Sequence, residues 1–218
     1  MTNELIKRIL SSLFLLPIFL FFSIKGSYFL IFFMIIFFLI ATYEWYRLSK
    51  KKPYKIPGFI FLIISCYFTI LLRGNTNSEL FNFLIIILIC ISTDIGGYVF
   101  GKTFKGPKIN KKISPKKTFA GAIGGYFLSI IFFYFFVNSS FIISFNLENS
   151  FTKYGIFFVL LISTISQLGD FLISFFKRKI KVKNTGNILP GHGGLLDRVD
   201  GMVFALPFAY IYLYMFSN

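Results

Sequence analysis

Apolar runs long enough to cross a bilayer recur along the whole chain, and they decide what it can fold into. They lie near residues 8–24, 28–45, 57–72, 79–100, 119–137, 155–176 and 200–217. A membrane's hydrocarbon core takes roughly 20 residues of helix, fewer where flanking side chains snorkel, so each run predicts a span. A chain that is 56% hydrophobic, with 33 Phe, is too apolar for an ordinary soluble domain. The expected fold is an all-α, polytopic membrane protein of about seven transmembrane helices with a cytoplasmic-facing polar cavity. One integral membrane domain is expected over 1–218, with N-terminal spans over 8–72 and a catalytic part over about 79–218. Lys7 and Arg8 precede the first run as in a signal peptide. No small-x-small cleavage site follows, so a retained helix is expected.

The formal charge of +15 invites a nucleic-acid reading. The basic residues lie in short clusters between apolar runs and form no continuous basic face, which argues against that partner. Put the N-terminus in the cytoplasm and let seven spans alternate. All of the 23 Lys and Arg except Lys25, Arg73 and Lys153 then fall on the cytoplasmic side, as the positive-inside rule requires. One span more or fewer scrambles this segregation, so the C-terminus is expected outside. Two cytoplasmic loops, about 101–118 and 177–199, exceed a turn. Attraction to anionic headgroups, about 1 kcal/mol per charge, explains their lysines but not their other residues.

The chain has only eight Asp and Glu. Asp94, in Ser92-Thr93-Asp94-Ile95-Gly96-Gly97, and Asp170, in Gln167-Leu168-Gly169-Asp170, come late in apolar runs, and Asp197 and Asp200 stand at the mouth of the last one. A carboxylate at membrane depth is costly unless it faces a wet cavity and has a partner. Ser163, Ser166, Gln167, Asp170 and Ser174 recur at helical steps and share one inward face. That face is either a polar seam gluing helices or the wall of a site. Carboxylates from two elements in an acid-poor chain suit Mg²⁺ bridging phosphates.

The stretch from Lys177 to Asp200 combines cations, a Pro190-Gly191-His192-Gly193-Gly194 turn and two carboxylates. Glycines admit close approach of backbone amides to phosphate oxygens, and Lys and Arg neutralise them. These parts suit phosphoryl or nucleotidyl transfer, where positioning and charge stabilisation supply most of the rate. His192, the single histidine, is expected to touch substrate rather than to act as an acid or base. Ser114-Pro115-Lys116-Lys117-Thr118 leads into the fifth run, as an anion-binding helix start would. Gly96 to Thr103 fits G-x-x-x-x-G-K-[ST], but an apolar span precedes it and no βαβ unit surrounds it, so a P-loop is not expected. Cys66 and Cys90, inside apolar runs, read as small core residues.

Ser174, Lys177, Arg178, Lys183, Pro190, His192, Gly193, Gly194, Asp197, Arg198 and Asp200 together closely resemble the signature of the phosphatidate cytidylyltransferases, or CDP-diacylglycerol synthases. Gln167 to Asp170, Ser114 to Thr118, Asp94 to Gly101 and Glu44-Trp45 match in order. The resemblance implies an integral membrane enzyme that joins CTP to phosphatidate, giving CDP-diacylglycerol and pyrophosphate. It implies Mg²⁺, with K⁺ as a second cation, and a homodimer. By the same resemblance Asp170 and Asp197 bind the metal, and Asp170, Asp197, Lys177 and Asp200 are catalytic. Substrate contacts fall to Asp94, Ser114, Lys116, Lys117, Ser174, Arg178, Lys183, His192, Gly193, Gly194 and Arg198. The chain departs from the pattern at Ala120, Ile173 and Asn184, where the family usually has acids. Rival readings are a CTP-dependent lipid kinase, a cytidylyltransferase for another lipid phosphate, and an inactive membrane scaffold or transporter. Polar residues crowd at the cytoplasmic ends of the spans and in one loop, which favours an enzyme acting on a lipid headgroup.

Overall fold

The computed structural model describes residues 17–50, 52–138, 150–188 and 193–217. Helix α1 is seen over 17–25. There follow α2 (Ser27–Ser49), α3 (Lys55–Arg73), α4 (Asn77–Phe104), strands β1 (Lys108–Asn110) and β2 (Ser114–Thr118), α5 (Phe119–Val137), α6 (Ser150–Lys179), the short α7 (Leu196–Val199) and α8 (Met202–Ser217). Helices α2 to α6 contain segments long and apolar enough to cross a membrane, and α8 is a shorter apolar helix. The chain is an all-α polytopic membrane protein. Lys7, Arg8 and the start of the first predicted span lie outside the described residues.

Exposed Phe32, Leu39, Phe127 and Phe135 point outward, where lipid tails replace water as solvent. One apolar cluster joins Phe83, Ile86 and Ile89 of α4 to Phe158 and Ile162 of α6 and Ala205 and Ala209 of α8. A second gathers Trp45, Leu48, Leu62, Ile173, Leu196 and Val203, fastening α2 and α3 to the ends of α6 and α7. Ile173, where an acid was expected from the resemblance, is thus a packing residue. Cys66 and Cys90 are buried and unpaired with each other, as core residues.

At one end of the bundle Arg73 closes the helix ends. Its Nε donates to Ser23 O (2.7 Å) and its Nη2 to Ile24 O (3.0 Å), satisfying carbonyls that the end of α1 leaves open. Thr76 and Glu79 then form a reciprocal capping box that starts α4.

Helices α4 and α5 meet backbone to backbone. Gly97 and Gly101 on α4, and Gly121 and Gly125 on α5, repeat at four-residue spacing, the small-xxx-small pattern of close membrane contacts. A Cβ on Gly121 would lie 2.6 Å from Gly97 O, and one on Gly96 would overlap the Gly124 carbonyl. The segment between these helices, expected as a loop, is a small antiparallel hairpin pairing Lys108 with Thr118 and Asn110 with Ser114. Asn110 Oδ1 turns it by accepting the N–H groups of Lys112 (2.9 Å) and Ile113 (3.2 Å). Helix α4 runs unbroken through Gly96 to Thr103, so the P-loop-like string forms no phosphate loop.

Candidate active site

A cavity of about 240 Å³ opens where α4, α5, α6 and the hairpin converge. Asp94 enters from α4, Lys116 and Lys117 from β2, Thr118 from the start of α5, and Gln167 and Asp170 from α6. Each position has a local cause. Thr118 Oγ1 accepts the Gly121 N–H (3.1 Å) and so caps α5, which fixes the lysines just before it. The glycine contact brings α4 close enough for Asp94 to share the cavity. The polar face of α6 serves both purposes open to it. Ser163 binds Thr93 (2.9 Å) and Gln167 binds Ala122 O (3.4 Å), gluing three helices, while Asp170, a turn further on, faces the cavity.

Lys117 Nζ pairs with Asp170 Oδ2 at 2.6 Å, and Ser174 donates to Asp170 Oδ1 at 3.3 Å. A second pair lies deeper: Lys177 Nζ to Asp197 Oδ1, 2.8 Å, both side chains nearly excluded from solvent. Asp197 Oδ2 accepts the Thr185 N–H (2.8 Å), the Gly194 N–H (3.0 Å) and a contact from the Thr185 hydroxyl (3.1 Å). Gly193 takes φ +93, a left-handed conformation suited to glycine, and any Cβ there would press on Asn184 and Asp197. The glycines of the signature turn thus admit a carboxylate to the backbone.

Asp200, in the turn between α7 and α8, links the two pairs. Burial, and next the Asp170 carboxylate, push its carboxyl well above the usual carboxylate range, with Lys177 acting the other way. Asp94 adds to the same field. Asp94 and Asp170 share the cavity with Lys117, and Asp200 feels both carboxylates and Lys177. Among the described residues no three His, Cys, Asp or Glu side chains enclose a metal position by themselves. Mg²⁺ needs no such cage: one or two carboxylates suffice, with substrate phosphates and water completing its shell. The donor set fits that ion.

Other expected site residues do not line this cavity. Arg178 is exposed; its Nε donates to Ile113 O in the hairpin turn (3.1 Å) and its Nη1 to Val182 O just beyond α6 (3.1 Å). Lys183 and Arg198 are exposed, and Ser114 is half-buried in β2. His192 lies outside the described residues. Two participants were not foreseen from the sequence as site residues, Glu44 and Thr185. Glu44 is fully buried and accepts hydrogen bonds from Thr185 Oγ1 (2.7 Å), Leu195 N (2.7 Å) and Leu196 N (2.9 Å). Its signal was available: an acid near the end of an apolar helix in a chain with only eight acids.

The sequence model of the cytidylyltransferase family matches residues 59–216, most of the chain and every element of the cavity. The chain belongs to the cytidylyltransferase family. Among its relatives, the phosphatidate cytidylyltransferase of Rickettsia felis is 36% identical over 210 residues, covering 92% of this chain and 88% of the relative. That of Rickettsia bellii is 38% identical over 170 residues, covering 75% and 71%. That of Staphylococcus aureus is 43% identical over 148 residues, covering 64% and 52%. As a cytidylyltransferase family member with five long apolar helices, the chain is a nucleotide-transferring enzyme embedded in a membrane.

Proposed function

We propose that this cytidylyltransferase transfers CMP from CTP to phosphatidate, giving CDP-diacylglycerol and pyrophosphate on the cytoplasmic side of the membrane. One observation carries the reading. At the ends of lipid-facing helices, a cavity sets Lys116 and Lys117 against Asp94 and Asp170, with Lys177 and Asp197 behind them. The segregation of Lys and Arg supports the cytoplasmic placement.

Phosphatidate carries its own nucleophile, a phosphate oxygen that is anionic near neutral pH, so the step needs no strong general base. That oxygen attacks the α-phosphorus of CTP, a new P–O bond forms, and the α–β P–O bond breaks to release pyrophosphate. The protein's task is alignment and charge. Lys116 and Lys117 offer ammonium groups to the triphosphate at the cavity wall, and Lys177 stands ready behind. In this proposal Asp170 and Asp197 would hold Mg²⁺, which would supply positive charge toward the phosphates. Both carboxylates already hold a cation, the ammonium of Lys117 or Lys177.

The test is turnover of labelled CTP by purified protein in detergent with phosphatidate and Mg²⁺. Wild type is expected to form a CDP-lipid and pyrophosphate, and Asp170→Asn to lose at least about a hundredfold in kcat. Release of CDP with a phosphorylated lipid would instead identify a kinase. CTP binding without turnover would return the chain to an inactive scaffold.

A further inference from the structure

Glu44 has no catalytic position, yet its carboxylate is wholly buried and engaged by three donors, each more than a hundred residues away in sequence. A charge taken out of water is tolerated where donors surround it, and bonds to an ionised acceptor are the strong kind. Those donors all belong to the segment that carries Asp197. The Leu195 and Leu196 amides open helix α7, which presents Asp197, and the Thr185 hydroxyl stands between the two carboxylates. That hydroxyl has one proton to give. It lies nearer Glu44 Oε2 (2.7 Å) than Asp197 Oδ2 (3.1 Å), so the hydroxyl donates to Glu44 and leaves Asp197 to the amides of Thr185 and Gly194. A second observation agrees. A Cβ on Gly194 would overlap both Thr185 Oγ1 and the Glu44 carboxylate. The last glycine of the signature turn is therefore required by this contact.

We infer that Glu44 is a positioning residue for Asp197, setting its place beside Lys177 through Thr185 and the Leu195–Leu196 amides. The inference rests on the proposed function in one respect, that Asp197 belongs to the reacting site. It assigns to a helix outside the family-matched segment 59–216 a part in the chemistry of that segment.

A double-mutant cycle in the full chain tests it, with hydrogen exchange as a second readout. Glu44→Gln puts an N–H₂ where N–H groups now point, and Thr185→Val removes only the shared hydroxyl. Each is expected to lower kcat about tenfold with KM for CTP changed less than about twofold, as outer residues around a metal or catalytic group do. The double variant is expected to be no worse than either single one, because both break one chain of contacts. Thr185→Ser, which restores the hydroxyl, is expected to keep wild-type kcat. Losses that multiply to about a hundredfold in the double variant would overturn the inference. So would Thr185→Val matching Thr185→Ser, and that comparison decides alone if Glu44→Gln does not fold. Should wild type form no CDP-lipid, the functional reading fails and exchange of the Leu195 and Leu196 amides still decides this one. Faster exchange in Glu44→Gln supports the contact; unchanged exchange overturns it.

Discussion

At the scale of single residues, the two lysine–aspartate pairs look alike and should behave differently. Lys177 and Asp197 are nearly sealed from solvent, whereas Lys117 and Asp170 keep about a quarter of their side-chain surface. Removing one partner of a buried pair leaves a stranded charge, which costs about 3–5 kcal/mol. Exposed pairs contribute about 0–1 kcal/mol. Lys177→Met is therefore expected to lower thermal stability sharply, while Lys117→Met loses catalysis with a small change in melting temperature. Thermal unfolding in detergent beside turnover measures both. Equal destabilisation would mean that burial does not separate the pairs. Asp94 and Asp170 stood out in the sequence because an acid in an apolar run is anomalous in itself, Asp197 because it stands at the mouth of the last run, and Lys117 through the Ser114-Pro115-Lys116-Lys117-Thr118 string. The links from Asp197 to Thr185 and from Thr185 to Glu44 were not legible there. Hydrogen bonds that span 141 to 152 residues, as those of Glu44 do, leave no local trace in composition or period.

At the scale of elements, hydropathy located the described spans, matched α5 (Phe119–Val137) end to end and misjudged the end of α4. Helix α4 continues four residues past the expected 100, through Gly101-Lys102-Thr103-Phe104. Backbone hydrogen bonding does not stop at the first lysine, whose long stem lies along the helix while its head reaches water. The hairpin was illegible for the opposite reason. Its strands are three and five residues long and lysine-rich, without the alternation that marks a half-buried sheet. The α4–α5 contact was present in the spacing of its glycines. Two alanine substitutions probe it. A Cβ at Gly97 meets nothing nearer than 3.8 Å, so Gly97→Ala is expected to be tolerated. At Gly124 a Cβ would collide with Phe100, and Gly124→Ala should destabilise by about 1–3 kcal/mol through overpacking. Because Asp94 and Lys117 line one cavity beside that seam, its KM for CTP should rise as well. Equal stability and KM for the two variants would refute a close-packed seam.

At the scale of the whole molecule, charge and lipid determine how the chain sits. The proposed orientation places the hairpin in the cytoplasm and the α3–α4 turn outside. Both native thiols are buried, so one introduced cysteine can be read against a silent background. In intact cells an impermeant thiol reagent is expected to label Asn75→Cys and to reach Lys111→Cys only after permeabilisation. The reverse pattern would invert the topology and put the cavity on the wrong side for CTP.

The Glu44 contact also sets an order in time. Its hydroxyl partner lies 141 residues further along the chain, which takes on the order of ten seconds to synthesise at about 5–20 residues per second. For that interval α2 waits in the membrane with an unmatched carboxylate near its end, where water still reaches. Only when the signature segment emerges can the carboxylate leave water and the helix take its final depth. The contact between α2 and the signature segment thus cannot form until most of the chain has been made, and an early helix has to stay receptive until then.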